Sequence, residues 1–262
     1  MPADVERVGT GVLLGSGLSS VGDPFDVERR LRFDEIPGVG DAGVAGHRGE
    51  VRTVRIGGHP CCFVFGRRHY YEGDENPIGR LIEHLYESGV RQLVVTSAAG
   101  SLDGSARPGE LVLVDAILDL QFRNRRTAAP LATSSPPANT SRAAAANLRL
   151  ADHLRARIQR AARRAGLRLN RGSLASFPGP AYETPSEIRA LKSIGTSLVS
   201  MSGAPETVAA NALGMQVAMI AVVTNWAAGI STVPLTHDDV LTCGQSVAAD
   251  LRRLITQFVE LD

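Results

Sequence analysis

Residues 216–224 read Gln-Val-Ala-Met-Ile-Ala-Val-Val-Thr, apolar without a break from Val217 to Val223. A strand with one wet face alternates apolar and polar residues; this run marks a strand covered on both faces. Working outward, shorter runs of the same character occur at Gly11–Leu14, Val51–Ile56, Pro60–Phe65, Leu93–Thr96 and Glu110–Val114. Helical patterns with readable ends lie between them. Asn76-Pro77 offers a cap and a first-turn proline, Ile78, Leu81, Ile82 and Leu85 form a stripe, and Gly89 stops it. A long helix is expected from about Arg142 to Ala165, with Leu148, Ala151, Leu154, Ile158 and Ala162 on one face. Thr184-Pro185-Ser186-Glu187 reads as a capping box, and a last helix starts near Thr236. Strands alternating with helices predict one α/β domain, residues 1–262, built on a central sheet.

Composition narrows the function. The chain has 262 residues, 44% of them hydrophobic, and 28 basic against 27 acidic residues, so no net charge favours nucleic acid or an anionic membrane. Lys192 is the only lysine and sits inside a helical pattern, which excludes a Walker A phosphate loop. The longest apolar run falls well short of the roughly 18 residues of a membrane span. The N-terminus carries acids early and has no long apolar region, so no secretory leader is expected. Cys61, Cys62 and Cys243 do not form a disulfide framework and read as reduced thiols of a cytoplasmic protein.

The sequence contains no GxSxG elbow, HExxH or CxxC, and its six histidines have no metal-ligand spacing, so no metal and no cofactor is expected. Six clusters remain, each with a bland alternative. Gly15-Ser16-Gly17 follows a strand and reads either as a tight turn or as a phosphate cradle with the Ser16 hydroxyl as an extra donor. Gly66-Arg67-Arg68-His69-Tyr70-Tyr71-Glu72-Gly73 follows another strand; Arg67 and His69 suit an oxyanion, unless the loop is simply a solvated basic one. Val95 to Ser101 ends in very small residues, which serve close packing or close approach by a ligand. Tyr182 offers a stacking face, and Glu183 is either an acceptor for N–H groups of a heterocycle or a carboxylate favoured by a helix start. Ser200-Met201-Ser202-Gly203-Ala204-Pro205-Glu206 leads into a helix where Ser202 and nearby amides suit an anion, while Met201 reads equally as core. Asn225, after the most apolar strand, carries both a donor and an acceptor, and reads a ring edge or bonds its own backbone. His47 remains, as does His237 in the first turn of the last helix.

Taken in order, GSGL, GRRHYYEG, VVTSAAGSL, GPAYETPSEIRALKSIGTSLVSMSGAPE, VVTNWAAG and PLTHDDVL resemble the trimeric purine nucleoside phosphorylase family, which includes the methylthioadenosine phosphorylases. The resemblance runs from about Gly11 to about Phe258. It implies an α/β fold whose mixed central sheet closes partly into a barrel flanked by helices. It implies a homotrimer and reversible phosphorolysis of purine nucleosides, with inorganic phosphate as co-substrate. Phosphate is then held by Ser16, His47, Arg67, His69, the Ala98 amide and Ser202. Tyr71 and Met201 contact ribose, Tyr182 packs on the base, Glu183 and Asn225 bind the purine, and His237 bonds the 5′-hydroxyl. Asn225, His69, Glu183 and His237 form the implied catalytic set.

Glu183 and Asn225 match the family's 6-oxopurine enzymes, whereas the methylthioadenosine branch carries Ser and Asp at those positions. Inosine and guanosine are therefore the expected substrates. Methylthioadenosine or adenosine phosphorolysis, and nucleoside or phosphate binding without turnover, are the alternatives. The chain departs from the family pattern at Ser97 and Ser101, where Asn and Gly are usual, at Arg68, and at Gly203-Ala204 in place of Thr-Val.

Overall fold

The computed structural model describes residues 8–41, 47–72, 76–121, 148–231 and 236–261, without the side chains of Tyr70 and His237. The nine strands among them are β1 (Thr10–Leu14), β2 (Val27–Arg32), β3 (Glu50–Ile56), β4 (His59–Phe65), β5 (Gln92–Ser101), β6 (Leu111–Asp119), β7 (Asn170–Ser176), β8 (Leu198–Ser200) and β9 (Gln216–Trp226). The helices are α1 (Pro77–Glu87), α2 (Asp152–Arg164), α3 (Pro185–Ser193), α4 (Ala204–Ala212) and α5 (His237–Val259).

All nine strands join one mixed sheet in the order β2-β3-β4-β1-β5-β8-β7-β6-β9. A further pairing of β9 with β5 closes β5, β8, β7, β6 and β9 into a ring, leaving β1 to β4 as an open wing. This is the expected α/β architecture with a mixed sheet partly closed into a barrel. Strands β4, β1, β5 and β9 lie side by side and parallel, so their carboxyl ends come out together. In open α/β sheets that edge is where ligands bind.

The core follows from β9. Val217 to Val223 are all fully buried, because helices cover both faces of the sheet. Apolar residues of α1 and α4 pack on one side and those of α2 and α5 on the other. Cys61 and Cys62 are buried thiols outside any disulfide, and burial alone pushes the Cys62 thiol up to about 12. Among the described residues no helix is long and apolar enough to cross a membrane.

The helix caps are as read. Asn76 Oδ1 accepts from the Gly79 amide at 3.0 Å, and Thr184 and Glu187 form the reciprocal capping box. Four expectations change, the first being that β6 does not end at Val114 but runs on to Asp119. The helix expected from Arg142 begins at Asp152; residues 142–147 lie outside the described set, and 148–151 are not helical. There the Ala151 amide donates to the Val217 carbonyl at 2.7 Å and the Arg149 amide to Asn211 Oδ1, so tertiary backbone bonds override helix propensity. β5 does not stop at Thr96 but runs through the small residues to Ser101, with a bulge against β9 after Ala99. β2, β7 and β8 were not anticipated: β2 is a charged edge strand, and β8 has only three residues.

Candidate active site

A cavity of about 420 Å³ opens at the converging strand ends. Its wall includes Ser16, His47, Arg67, His69, Tyr71, Ala98, Tyr182, Glu183, Met201, Ser202 and Asn225. Every site residue implied by the family resemblance therefore lines one cavity, with the exception of His237. That residue opens α5, and its side chain lies outside the described set.

Each group arrives from a strand end. Gly15 and Ser16 follow β1, and the Gly15 amide donates to Thr96 Oγ1 at 3.1 Å, which ties the turn to β5. Gly66 ends β4 with φ of +97°, and a Cβ there would stand 2.5 Å from His47 Cβ. Glycine is required both by the left-handed backbone and by the histidine packed against it.

His47 joins two loops. Its Nδ1 lies 2.8 Å from the Arg67 carbonyl and 3.3 Å from the Arg67 amide, and its Nε2 lies 3.1 Å from Ser16 Oγ. The shorter contact puts the proton on Nδ1, so Nε2 accepts from the Ser16 hydroxyl. Burial, helped by the nearby Arg67 and His69, lowers its pKa to about 3. His47 is thus neutral near neutral pH in this structure and orients the Ser16 hydroxyl.

Arg67 is 1% exposed. Its guanidinium donates to Glu206 Oε1 at 2.7 Å and to the Thr96 carbonyl. A guanidinium has five N–H groups, so three are left for a ligand. The arginine is not a loose fork on a basic loop; a buried carboxylate clamps it. Glu206 also accepts from the Gly203 amide at 2.7 Å, which fixes the start of α4.

His69 stacks between two rings, with centroid distances of 5.6 Å to His47 and 5.0 Å to Tyr71. Glu72 accepts from the His69 amide at 2.6 Å and lies 3.1 Å from its Nδ1. With Nδ1 engaged, Nε2 is the nitrogen left to meet a ligand.

At the end of β9, Asn225 Nδ2 donates to the Trp226 carbonyl at 2.9 Å and Oδ1 accepts from the Thr224 hydroxyl at 2.8 Å. One amide N–H and one acceptor lone pair remain. Asn225 lies inside the strand, opposite Gly100, where a Cβ would come 3.0 Å from its Nδ2. That small residue makes room for the asparagine. Burial raises the pKa of the Glu183 carboxyl above the ordinary glutamate value, and the charge of Glu187 adds to the shift.

Sequence reasoning named no role for Glu72, Thr96 or Glu206. Glu72 was legible as a carboxylate three residues after His69 in a short turn; no local signal pairs Glu206 with a residue 139 positions away.

The phosphorylase superfamily model matches residues 11–260. The chain belongs to this family. A purine nucleoside phosphorylase of Mycobacterium tuberculosis is 35% identical over 264 residues, covering 97% of this chain and 91% of that protein. A 6-oxopurine nucleoside phosphorylase of Pyrococcus furiosus is 35% identical over 182 residues, covering 68% of this chain and 67% of that protein. Among solved structures, the Schistosoma mansoni purine nucleoside phosphorylase in complex with adenosine superposes with a TM-score of 0.78 at 26% identity, covering 97% of this chain and 91% of that one.

Proposed function

We propose that this superfamily member catalyses reversible phosphorolysis of purine nucleosides, with 6-oxopurine nucleosides such as inosine and guanosine preferred. The observation that carries the reading is a single cavity shared by two kinds of recognition. Arg67, His69 and Ser202 supply donors suited to an oxyanion, and Glu183 with Asn225 supplies an acceptor and a donor suited to a purine edge. Neither a protein nucleophile nor a metal is needed, since phosphate itself attacks.

Phosphate binds to Arg67, His69, the Ala98 amide, Ser202 and Ser16, whose hydroxyl gives up its bond to neutral His47 to donate to a phosphate oxygen. Cleavage of the glycosidic bond puts positive charge on ribose and negative charge on the base. The bound phosphate stabilises the ribose cation and then bonds to C1′. The remaining Asn225 N–H meets the charge growing at N7 or O6, and Glu183 accepts from the ring N–H. Fixed donors aimed at developing charge are commonly the largest catalytic term. Tyr71 and Met201 flank the sugar, Tyr182 covers the base, and His237 bonds the 5′-hydroxyl. A cytoplasmic homotrimer is the expected working form, on the family resemblance.

Base release from inosine, guanosine and adenosine, each with and without phosphate, tests this reading. Phosphate-dependent release from the first two supports it. Release from adenosine alone keeps phosphorolysis but overturns the roles of Glu183 and Asn225. Phosphate-independent release makes the protein a hydrolase, and no release makes it a binding protein.

A further inference from the structure

Ser202 does not face the cavity alone. Its Oγ lies 2.6 Å from Ser97 Oγ, Ser97 Oγ lies 2.7 Å from Ser200 Oγ, and Ser200 Oγ lies 2.8 Å from the Ala98 carbonyl oxygen. All three serines are buried. Ser200 and Ser202 line the cavity wall, while Ser97, 1% exposed, stands behind it. The cross-contacts are longer: 3.1 Å from Ser97 Oγ to the Ala98 carbonyl and 3.4 Å between Ser200 and Ser202.

Each hydroxyl has one hydrogen. Oxygens 2.6–2.7 Å apart need a hydrogen between them, so the short contacts allow two directions. In one, Ser202 donates to Ser97, Ser97 to Ser200, and Ser200 to the Ala98 carbonyl. Ser202 then turns only lone pairs to the cavity. In the other, Ser200 donates to Ser97 and Ser97 to Ser202, the Ser202 hydrogen is free for an acceptor in the cavity, and the hydrogen bond from Ser200 to the Ala98 carbonyl is given up. The main chain of Ser202 does not share this freedom. Its carbonyl accepts from Ser176 Oγ at 3.2 Å, and Gln121 in turn donates to Ser176 Oγ at 2.9 Å.

We propose that Ser97 is a positioning residue for the phosphate: by donating to Ser202 from behind the cavity wall, it turns the Ser202 hydrogen toward a phosphate oxygen. The inference rests on the reading of Ser202 as a phosphate ligand. The unprotonated oxygens of phosphate accept and do not donate, so they interact favourably with the second direction and shift the chain to it. A hydroxyl that is itself accepting a hydrogen bond is also the stronger donor.

Initial rates with phosphate and inosine varied separately test the inference. Ser97→Ala is expected to raise the phosphate KM about tenfold, equivalent to about 1.4 kcal/mol, with the inosine KM changed less than about twofold. Ser97→Cys keeps the side-chain shape and replaces the hydroxyl with a poor donor, so it should show a similar loss without a packing defect. In a Ser202→Ala background, Ser97→Ala should change the phosphate KM less than about twofold, because its effect passes through Ser202. An unchanged phosphate KM in both Ser97 variants, or an equal effect with and without Ser202, overturns the proposal. If Ser202→Ala itself leaves the phosphate KM unchanged, the anion site has been misread and the proposal falls with it. A raised KM in Ser202→Ala beside silent Ser97 variants sinks the proposal alone.

Discussion

Arg67 and Glu206 meet 2.7 Å apart with both side chains 1% exposed, so the charge expected to hold phosphate is already paired inside the protein. Removing one member of a buried pair leaves the other charged without a partner, which commonly costs about 3–5 kcal/mol. Arg67→Ala should therefore have two effects: a fall of roughly 10²-fold in kcat/KM for phosphate, and a large loss of stability. Arg67→Ala combined with Glu206→Gln removes the orphaned charge. The double variant is expected to recover most of the stability in urea titrations while phosphate kinetics stay impaired. Recovery of phosphate kinetics as well would assign Arg67 a purely structural role.

What the sequence made legible was whatever is written locally. The apolar run of β9, the Asn76 and Thr184 caps and the strand-to-loop positions of Ser16 and Arg67 all follow from neighbours within a few residues, whereas Asn225, expected after the strand, lies within it. The closed ring was legible only through the family resemblance, because it depends on β8, three residues long, and on β5 continuing through residues too small to read as strand. Within the site, the identity of the lining residues was legible and their partners were not. Thr96, Ser97 and Glu206 act across separations of 81, 105 and 139 positions, and no spacing rule reaches that far.

Gly100 sits where an added methyl would stand 3.0 Å from Asn225 Nδ2 and 3.3 Å from Val199 Cγ1. Val199 is held in β8, so the asparagine is the group that must give. Gly100→Ala is expected to lower kcat/KM for inosine about tenfold or more, while the phosphate KM changes little. Equal damage to both substrates would indicate a general distortion of the barrel in place of a displaced Asn225.

Asn225→Asp bears on substrate choice. A carboxylate accepts from a 6-amino group and cannot donate to a 6-oxo group, so activity should shift from inosine toward adenosine. The variant also loses the Nδ2 hydrogen bond to the Trp226 carbonyl and sets two acceptors against each other there. A stability loss of about 1–3 kcal/mol should accompany the shift. An unchanged preference for inosine would remove Asn225 from base recognition.

His47 carries a prediction about acid. Its pKa is about 3 in the folded chain against an ordinary value of 6.5, so between those values the unfolded chain binds a proton that the folded chain does not. Its contribution to stability is complete above pH 6.5 and is lost as pH falls toward 3, with a slope of at most about 1.4 kcal/mol per pH unit. His47→Gln removes this titration. Urea midpoints at pH 7, 5.5 and 4.5 should fall more steeply for the parent chain than for the variant, and parallel curves would mean that His47 is not held neutral.

Glu183 has the opposite sign. Its carboxyl titrates above the ordinary glutamate value of 4.5 because burial disfavours the charge. Through the interval between those values the folded chain holds the proton more tightly than the unfolded chain, so stability declines as pH rises. Above the folded pKa the full cost of the half-buried carboxylate is present; below the ordinary value it is gone. Glu183→Gln should therefore melt above the parent at pH 7.5 and close to it at pH 4. The same substitution removes the acceptor for the purine N–H and should lower kcat/KM for inosine by about 10²-fold. A carboxylate that costs stability and is needed for turnover marks a residue kept for its chemistry. A variant that is less stable than the parent at pH 7.5, or that turns over inosine normally, would place Glu183 among ordinary helix-start carboxylates.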